Sequence, residues 1–165
     1  MGSKTLARSR VRLSIAALGG TPVLIALVEL SAEGSTVAFT DRIGKRRAVG
    51  AGMVVAAIGF GSLALLGDRY GLCMVVLLAG IGGFEFTVVS SIPLSTEVRR
   101  TGRAKYVSWM IVATSIGKAG GAAVAAPLFG AWGIEANAIL AAGANLVALG
   151  NLVAWVRESD DLSVS

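Results

Sequence analysis

The sequence predicts an all-α integral membrane protein with about five transmembrane helices, and three observations carry that expectation. First, its 165 residues are 55% hydrophobic and 15% charged, with a mean hydropathy of +0.75. A soluble domain is about one quarter charged and about 45–50% apolar even with glycine counted. Adding the 22 glycines leaves more uncharged chain than one aqueous core can hide, so lipid is the expected solvent. Second, long runs without charge recur along the chain. Third, lysine and arginine gather in alternate connectors between those runs.

The elements follow in order. Residues 1–12 form a basic N-terminal segment with Lys4, Arg8, Arg10 and Arg12. The apolar run after it lacks a clear small-residue cleavage site, so it is kept as part of the bundle and not read as a removed signal peptide. The bundle covers 13–156. Its first span, about 13–40, is uncharged apart from Glu29 and Glu33 and exceeds the roughly 20 residues a crossing helix needs. Spans at about 48–66 and 134–156 are the clearest, because 48–66 and 136–156 hold no charge. The third, about 71–95, is apolar apart from Glu85, and the fourth, about 106–130, apart from Lys118.

Connectors orient these spans. The stretch 41–47 holds Arg42, Lys45, Arg46 and Arg47, and 97–105 holds Arg99, Arg100, Arg103 and Lys105. The stretch 67–70 holds only Arg69, and 130–133 has no basic residue. Such alternation places 41–47, 97–105 and the tail 157–165 in the cytoplasm, in what is expected to be the cell (inner) membrane. It conflicts with the N-terminus: with one span ahead of 41–47, the basic segment 1–12 falls outside. Either the first span is broken at Gly19-Gly20-Thr21-Pro22, where proline interrupts the hydrogen-bond ladder, or a helix that would precede Leu13 is missing. The second is the preferred expectation.

Other function classes find no residues to support them. Histidine is absent and Cys73 is the one cysteine, so no disulfide framework, Cys/His metal site or histidine base is available. No enzyme and no cofactor are expected. A basic balance of 15 Lys+Arg against 10 Asp+Glu suits loops at a membrane better than nucleic acid, which needs a basic face on a folded module. Gly80-x-Gly82 and Gly117-x-x-Gly120 lack the strand and spacing of a nucleotide loop. These glycines, with Gly50, Gly52, Gly59, Gly61, Gly83, Gly121, Gly143 and Gly150, are expected to let helix backbones approach closely. Asn145, Asn151, Thr87, Ser90, Ser91, Thr114 and Ser115 suit either interhelical hydrogen bonds or a pore lining.

Asp41-Arg42-Ile43-Gly44-Lys45-Arg46 resembles the Gly-x-x-x-Asp-Arg-x-Gly-Arg-Lys loop motif of the major facilitator superfamily. Val37 stands where that motif begins with glycine, and Gly34 is nearly one turn earlier. Pro93-Leu94-Ser95-Thr96-Glu97 followed by Arg103-Ala104 is similar to the family's passage between helices ten and eleven. The glycine-rich fourth span, with Gly117, Gly120, Gly121 and Pro127, resembles its helix eleven. The resemblance implies a partial half-bundle matching helices eight to twelve, with helices two to six as the alternative, and a truncated or split transporter. It also implies a gating role for Asp41, Arg42, Gly44, Lys45 and Arg46. On their own chemistry, an Asp here can accept from the amides of a neighbouring helix, an Arg can bridge carboxylates or carbonyls, and Gly44 permits a tight turn.

Glu29, Glu85 and Lys118 each lie twelve or thirteen residues from a charged connector residue, Asp41, Glu97 and Lys105 respectively. At about 1.5 Å per residue this places all three roughly 18–20 Å from the cytoplasmic edge. Ionisable groups at such depth face protein or water, so the three form the candidate substrate or proton pathway, with Lys118 expected beside Glu85, or else beside Glu29. The leading expectation is part of a secondary active transporter moving a small-molecule substrate, with proton coupling as an option. Its partners would be the lipid bilayer and a complementary transporter half or a second copy through self-association. The alternative is a non-transporting membrane subunit or remnant in which the charges only neutralise one another.

Overall fold

The computed structural model describes residues 15–66, 69–98 and 102–156, and these are helical with no strand among them. The segments 1–12 and 157–165 lie outside the described residues. Four helices follow in order: α1 (Ile15–Ile43), α2 (Lys45–Leu63), α3 (Tyr70–Val98) and α4 (Arg103–Trp155). α1 runs through Gly19, Gly20 and Pro22 without interruption, so the alternative of a first segment broken at Pro22 does not hold. α3 and α4 likewise contain Pro93 and Pro127. A long apolar helix tolerates one missing N–H where neighbouring helices and local adjustments satisfy the freed carbonyl.

Two connectors are shorter than the charge pattern implied. Asp41, Arg42 and Ile43 complete α1 and Lys45 opens α2, so the stretch 41–47 narrows to Gly44, at φ 88° and ψ 140°. A side chain there would be strained, which is why glycine stands at this turn. The stretch 130–133 is not a loop either. Helix continues to Trp132 and breaks at Gly133 alone, with φ 77° and ψ −169°. The two arms of α4, 103–132 and 134–155, fold back on each other: Asn137 Nδ2 donates to the Ala125 carbonyl at 3.0 Å, whereas an unbroken helix would hold residues twelve apart at about 18 Å. The residues of the fourth and fifth expected spans therefore form the two helical arms of α4.

α2 and α3 pack most closely, and glycine is the reason. Ala48, Gly52, Ala56 and Gly59 form the buried stripe of α2. A methyl group at Gly59 would lie 2.6 Å from the Gly80 nitrogen and 2.8 Å from the Val76 carbonyl oxygen of α3. One at Gly83 would lie 2.7 Å from the Ala56 nitrogen and 2.9 Å from the Gly52 carbonyl oxygen. Backbone thus rests on backbone, the arrangement by which helices associate where no hydrophobic effect drives them together. The glycines of α4 differ. Gly117, Gly120, Gly121, Gly143 and Gly150 have nothing within 4 Å of where a methyl would sit, so the expectation of close helix packing there is not met among the described residues.

α1 lies on α3, running the same way: Thr40 meets Ser90, and Val28 meets Gly82. The C-terminal arm of α4 lies antiparallel on α2, with Leu152 and Leu149 near Gly50 and Ala142 near Gly61. The start of α2 and the ends of α3 and α4 converge, where Val49, Leu94 and Leu152 form a small core flanked by Met53, Leu149 and Val156. Large apolar side chains elsewhere are exposed, Leu65, Val147 and Trp155 among them. Tyr70–Thr96 and Arg103–Trp155 are long and apolar enough to cross a membrane.

Candidate functional site

The structure brings two of the three candidate pathway charges together. Lys118 Nζ, on the first arm of α4, lies 3.6 Å from Glu85 Oε1 on α3. Antiparallel packing sets this register, since Ser91 Oγ reaches Met110 Sδ at 3.6 Å two turns away along the same contact. The two partners are unequally placed: the Glu85 side chain is 15% exposed and that of Lys118 59%. The pair therefore lies at the open flank of α3, with the carboxylate held within the fold and the ammonium reaching to it from outside.

Glu29 is not part of that pair. It sits half-buried on α1, next to Val28, whose Cγ1 would be 3.0 Å from a methyl on Gly82. That contact puts Glu29 within about one turn of Glu85 in depth, as residue counting suggests. No hydrogen bond or ion pair links Glu29 to another described residue, and α1 makes no packing contact with α4. Glu33, one turn on, is exposed. The layer of charge is thus shared in height and divided in contact.

At the other candidate region the residues behave individually. Asp41 and Arg42 are exposed at the end of α1. No side chain caps the start of α2, so Asp41 does not accept from those amides. Lys45, Arg46 and Arg47 occupy the first turn of α2 with no acidic residue among them, contrary to what the helix dipole favours. Arg46 resolves part of this strain. Its Nη2 donates to the Val153 carbonyl at 3.0 Å, one of the carbonyls that the last turn of α4 leaves without a helical partner. Gly34 is exposed with nothing within 4 Å of a methyl position, so it provides no close approach.

The small polar residues divide between packing and local bonding. Thr40 and Ser90, both fully enclosed, share a hydrogen bond of 3.3 Å between α1 and α3. Thr87 donates to the Gly83 carbonyl at 2.8 Å and lies 3.5 Å from that of Val49. Asn145 and Asn151 donate to the Ala141 and Val147 carbonyls of their own helix, and Thr114 to that of Met110. Sequence reasoning passed over Thr36, Thr40 and Ser95, which are buried. A signal for two of them was present: Ala32, Thr36 and Thr40 recur every four residues, the spacing of one helix face. The Val153 carbonyl left no signal, because any residue supplies one.

No family model matches the sequence, and no solved structure matches it. Over 106 residues the chain is 29% identical to the multidrug resistance protein MdtH of Cronobacter sakazakii (strain ATCC BAA-894). That match takes in 64% of this chain and 25% of the relative, so the shared region is about a quarter of the relative's length.

Proposed function

We propose that this chain is part of a secondary active transporter of the major facilitator type, in which Glu85 and Lys118 line the path of a small solute. The observation that carries this reading is the Lys118–Glu85 pair at the open flank of α3. A carboxylate held within the fold and an ammonium left accessible form a site that a charged or protonatable solute can compete for. Likeness to a multidrug resistance protein supports transport and favours drug-like small solutes as substrates. On this reading all five helical rods cross the inner membrane, the rods correspond to helices eight to twelve, and Glu29 faces the same path from α1. Asp41, Arg42, Gly44, Lys45 and Arg46 gate its cytoplasmic side.

A second reading has its own observation. The first arm of α4 is exposed along most of its length, and its glycines meet no neighbour. That favours an assembly subunit that packs against a complementary transporter half or a second copy. Uptake and efflux of a fluorescent lipophilic cation, measured in vesicles holding this chain alone and with candidate partner halves, separate the two readings. Transport that Glu85→Gln abolishes supports the first. Transport by the complex that is indifferent to both Glu85→Gln and Lys118→Met leaves only the second.

A further inference from the structure

α1 and α2 are joined by the single residue Gly44 yet touch little, because α3 lies between them. Their divergence leaves a groove of about 490 Å³, walled by Val28 and Ser35 of α1 and Ala51 and Val55 of α2, and floored by Gly82 and Phe86 of α3. Neither Glu85 nor Lys118 is among the residues that line it. The two wall hydroxyls do not seek a polar ligand: Ser31 donates to the Leu27 carbonyl at 2.7 Å and Ser35 to that of Ala32 at 2.8 Å. The chemistry inside is hydrocarbon.

The mouth of the groove is basic. Arg42 follows Ser35 by two helical turns on the same face of α1, and Arg47 precedes Ala51 by one turn on α2. Both are exposed. Asp41 beside Arg42 is the one acid of this turn, against Arg42, Lys45, Arg46 and Arg47. Residues of the groove begin about 10 Å from Gly44, which is the offset between a lipid headgroup and the upper part of its acyl chain.

We propose that this groove is a binding site for an anionic phospholipid, with one acyl chain lying between α1 and α2 and the phosphate held by Arg42 and Arg47. The inference rests on the chain being inserted in a membrane and not on its transporting anything. An apolar channel with two exposed arginines, Arg42 and Arg47, one to two helical turns beyond its walls matches both parts of such a lipid, since guanidinium binds phosphate oxygens bidentately and basic sites between cytoplasmic helix ends select anionic headgroups. A neutral lipid matches the channel alone.

The full chain, reconstituted in nanodiscs of equal phosphatidylcholine and phosphatidylglycerol and released into native mass spectrometry, is expected to retain phosphatidylglycerol in preference. Arg42→Gln with Arg47→Gln lowers that preference by roughly fivefold for each charge removed, while bound lipid persists. Ala51→Phe and Ala79→Phe replace exposed alanines on different helices at the groove, and each is expected to abolish retention of either lipid; should one fail to fold, the other reads the same groove. No preference in the unaltered chain, or retention unchanged in a folded Phe variant, overturns the proposal. So does cross-linking of Ala51→Cys, in a Cys73→Ala background, to another polypeptide, because the groove then seats a helix.

Discussion

Lys118 and Glu85 face each other at 3.6 Å across the contact between α4 and α3, with the carboxylate 15% and the ammonium side chain 59% exposed. Such asymmetry decides what each mutation does. Lys118→Ala strands the more enclosed partner, whereas Glu85→Ala leaves a lysine that can turn to water or lipid headgroups. Lys118→Ala is expected to cost on the order of 2 kcal/mol, less than a fully enclosed pair because the lysine is mostly exposed. The double variant with Glu85→Ala should recover most of that loss. Thermal unfolding in detergent checks this, and a double variant no more stable than Lys118→Ala would show that the pair is not coupled.

The α2–α3 seam and the first arm of α4 should answer the same substitution with opposite signs. At Gly59 a methyl would meet the Gly80 nitrogen at 2.6 Å, so Gly59→Ala must separate two backbones and is expected to cost about 2 kcal/mol. At Gly121 nothing stands within 4 Å, so Gly121→Ala gains roughly 0.5–1 kcal/mol from the lower entropy of the unfolded chain. Equal melting temperatures for the two variants would contradict the packing described.

Arg46 ties the start of α2 to the end of α4 through the Val153 carbonyl. Its removal in Arg46→Ala is expected to cost about 1 kcal/mol or less, because the bond is exposed, but to speed amide exchange selectively in the last turn of α4. Arg42→Ala should leave that exchange unchanged. Hydrogen exchange read by mass spectrometry distinguishes them, and equal protection in both variants would remove the tie.

Topology gives a fourth expectation. With five crossings, a cysteine at Ser3 is labelled from outside and one at Ser163 from the cytoplasm, in a Cys73→Ala background. Impermeant maleimide applied to sealed vesicles of known orientation reads the result. Labelling of both from one side would require an even number of crossings.

For the transport reading, Arg42→Lys is the informative change at the α1–α2 turn. Topology depends on charge alone and should survive it, whereas a gate built on directed contacts loses most of its activity without the planar guanidinium. Solute flux in the assembled complex checks this, and full activity with both Arg42→Lys and Asp41→Asn would exclude a gating role.

Helical class, the approximate extent of each helical rod and the similar level of Glu29, Glu85 and Lys118 along the packed helices were legible in the sequence. They depend on quantities that add along the chain: apolar length, charge spacing and the rise of about 1.5 Å per residue. The tight turn at Gly44 was legible for the same local reason. Which glycines carry a packing contact was not, because Gly59 and Gly121 look alike until a neighbour is placed against one of them. Nor was the continuation of α1 through Pro22, since a helix interior tolerates proline only when its surroundings supply what the missing N–H withholds. Pairing of Lys118 with Glu85 and not Glu29 was decided by the order in which the rods pack. α3 separates α1 from α4, so equal depth brought one carboxylate to the lysine and kept the other away. Arg46 and the Val153 carbonyl belong wholly to tertiary structure: 107 residues apart, they meet only because α4 folds back at Gly133 and returns its C-terminus to the basic end of α2.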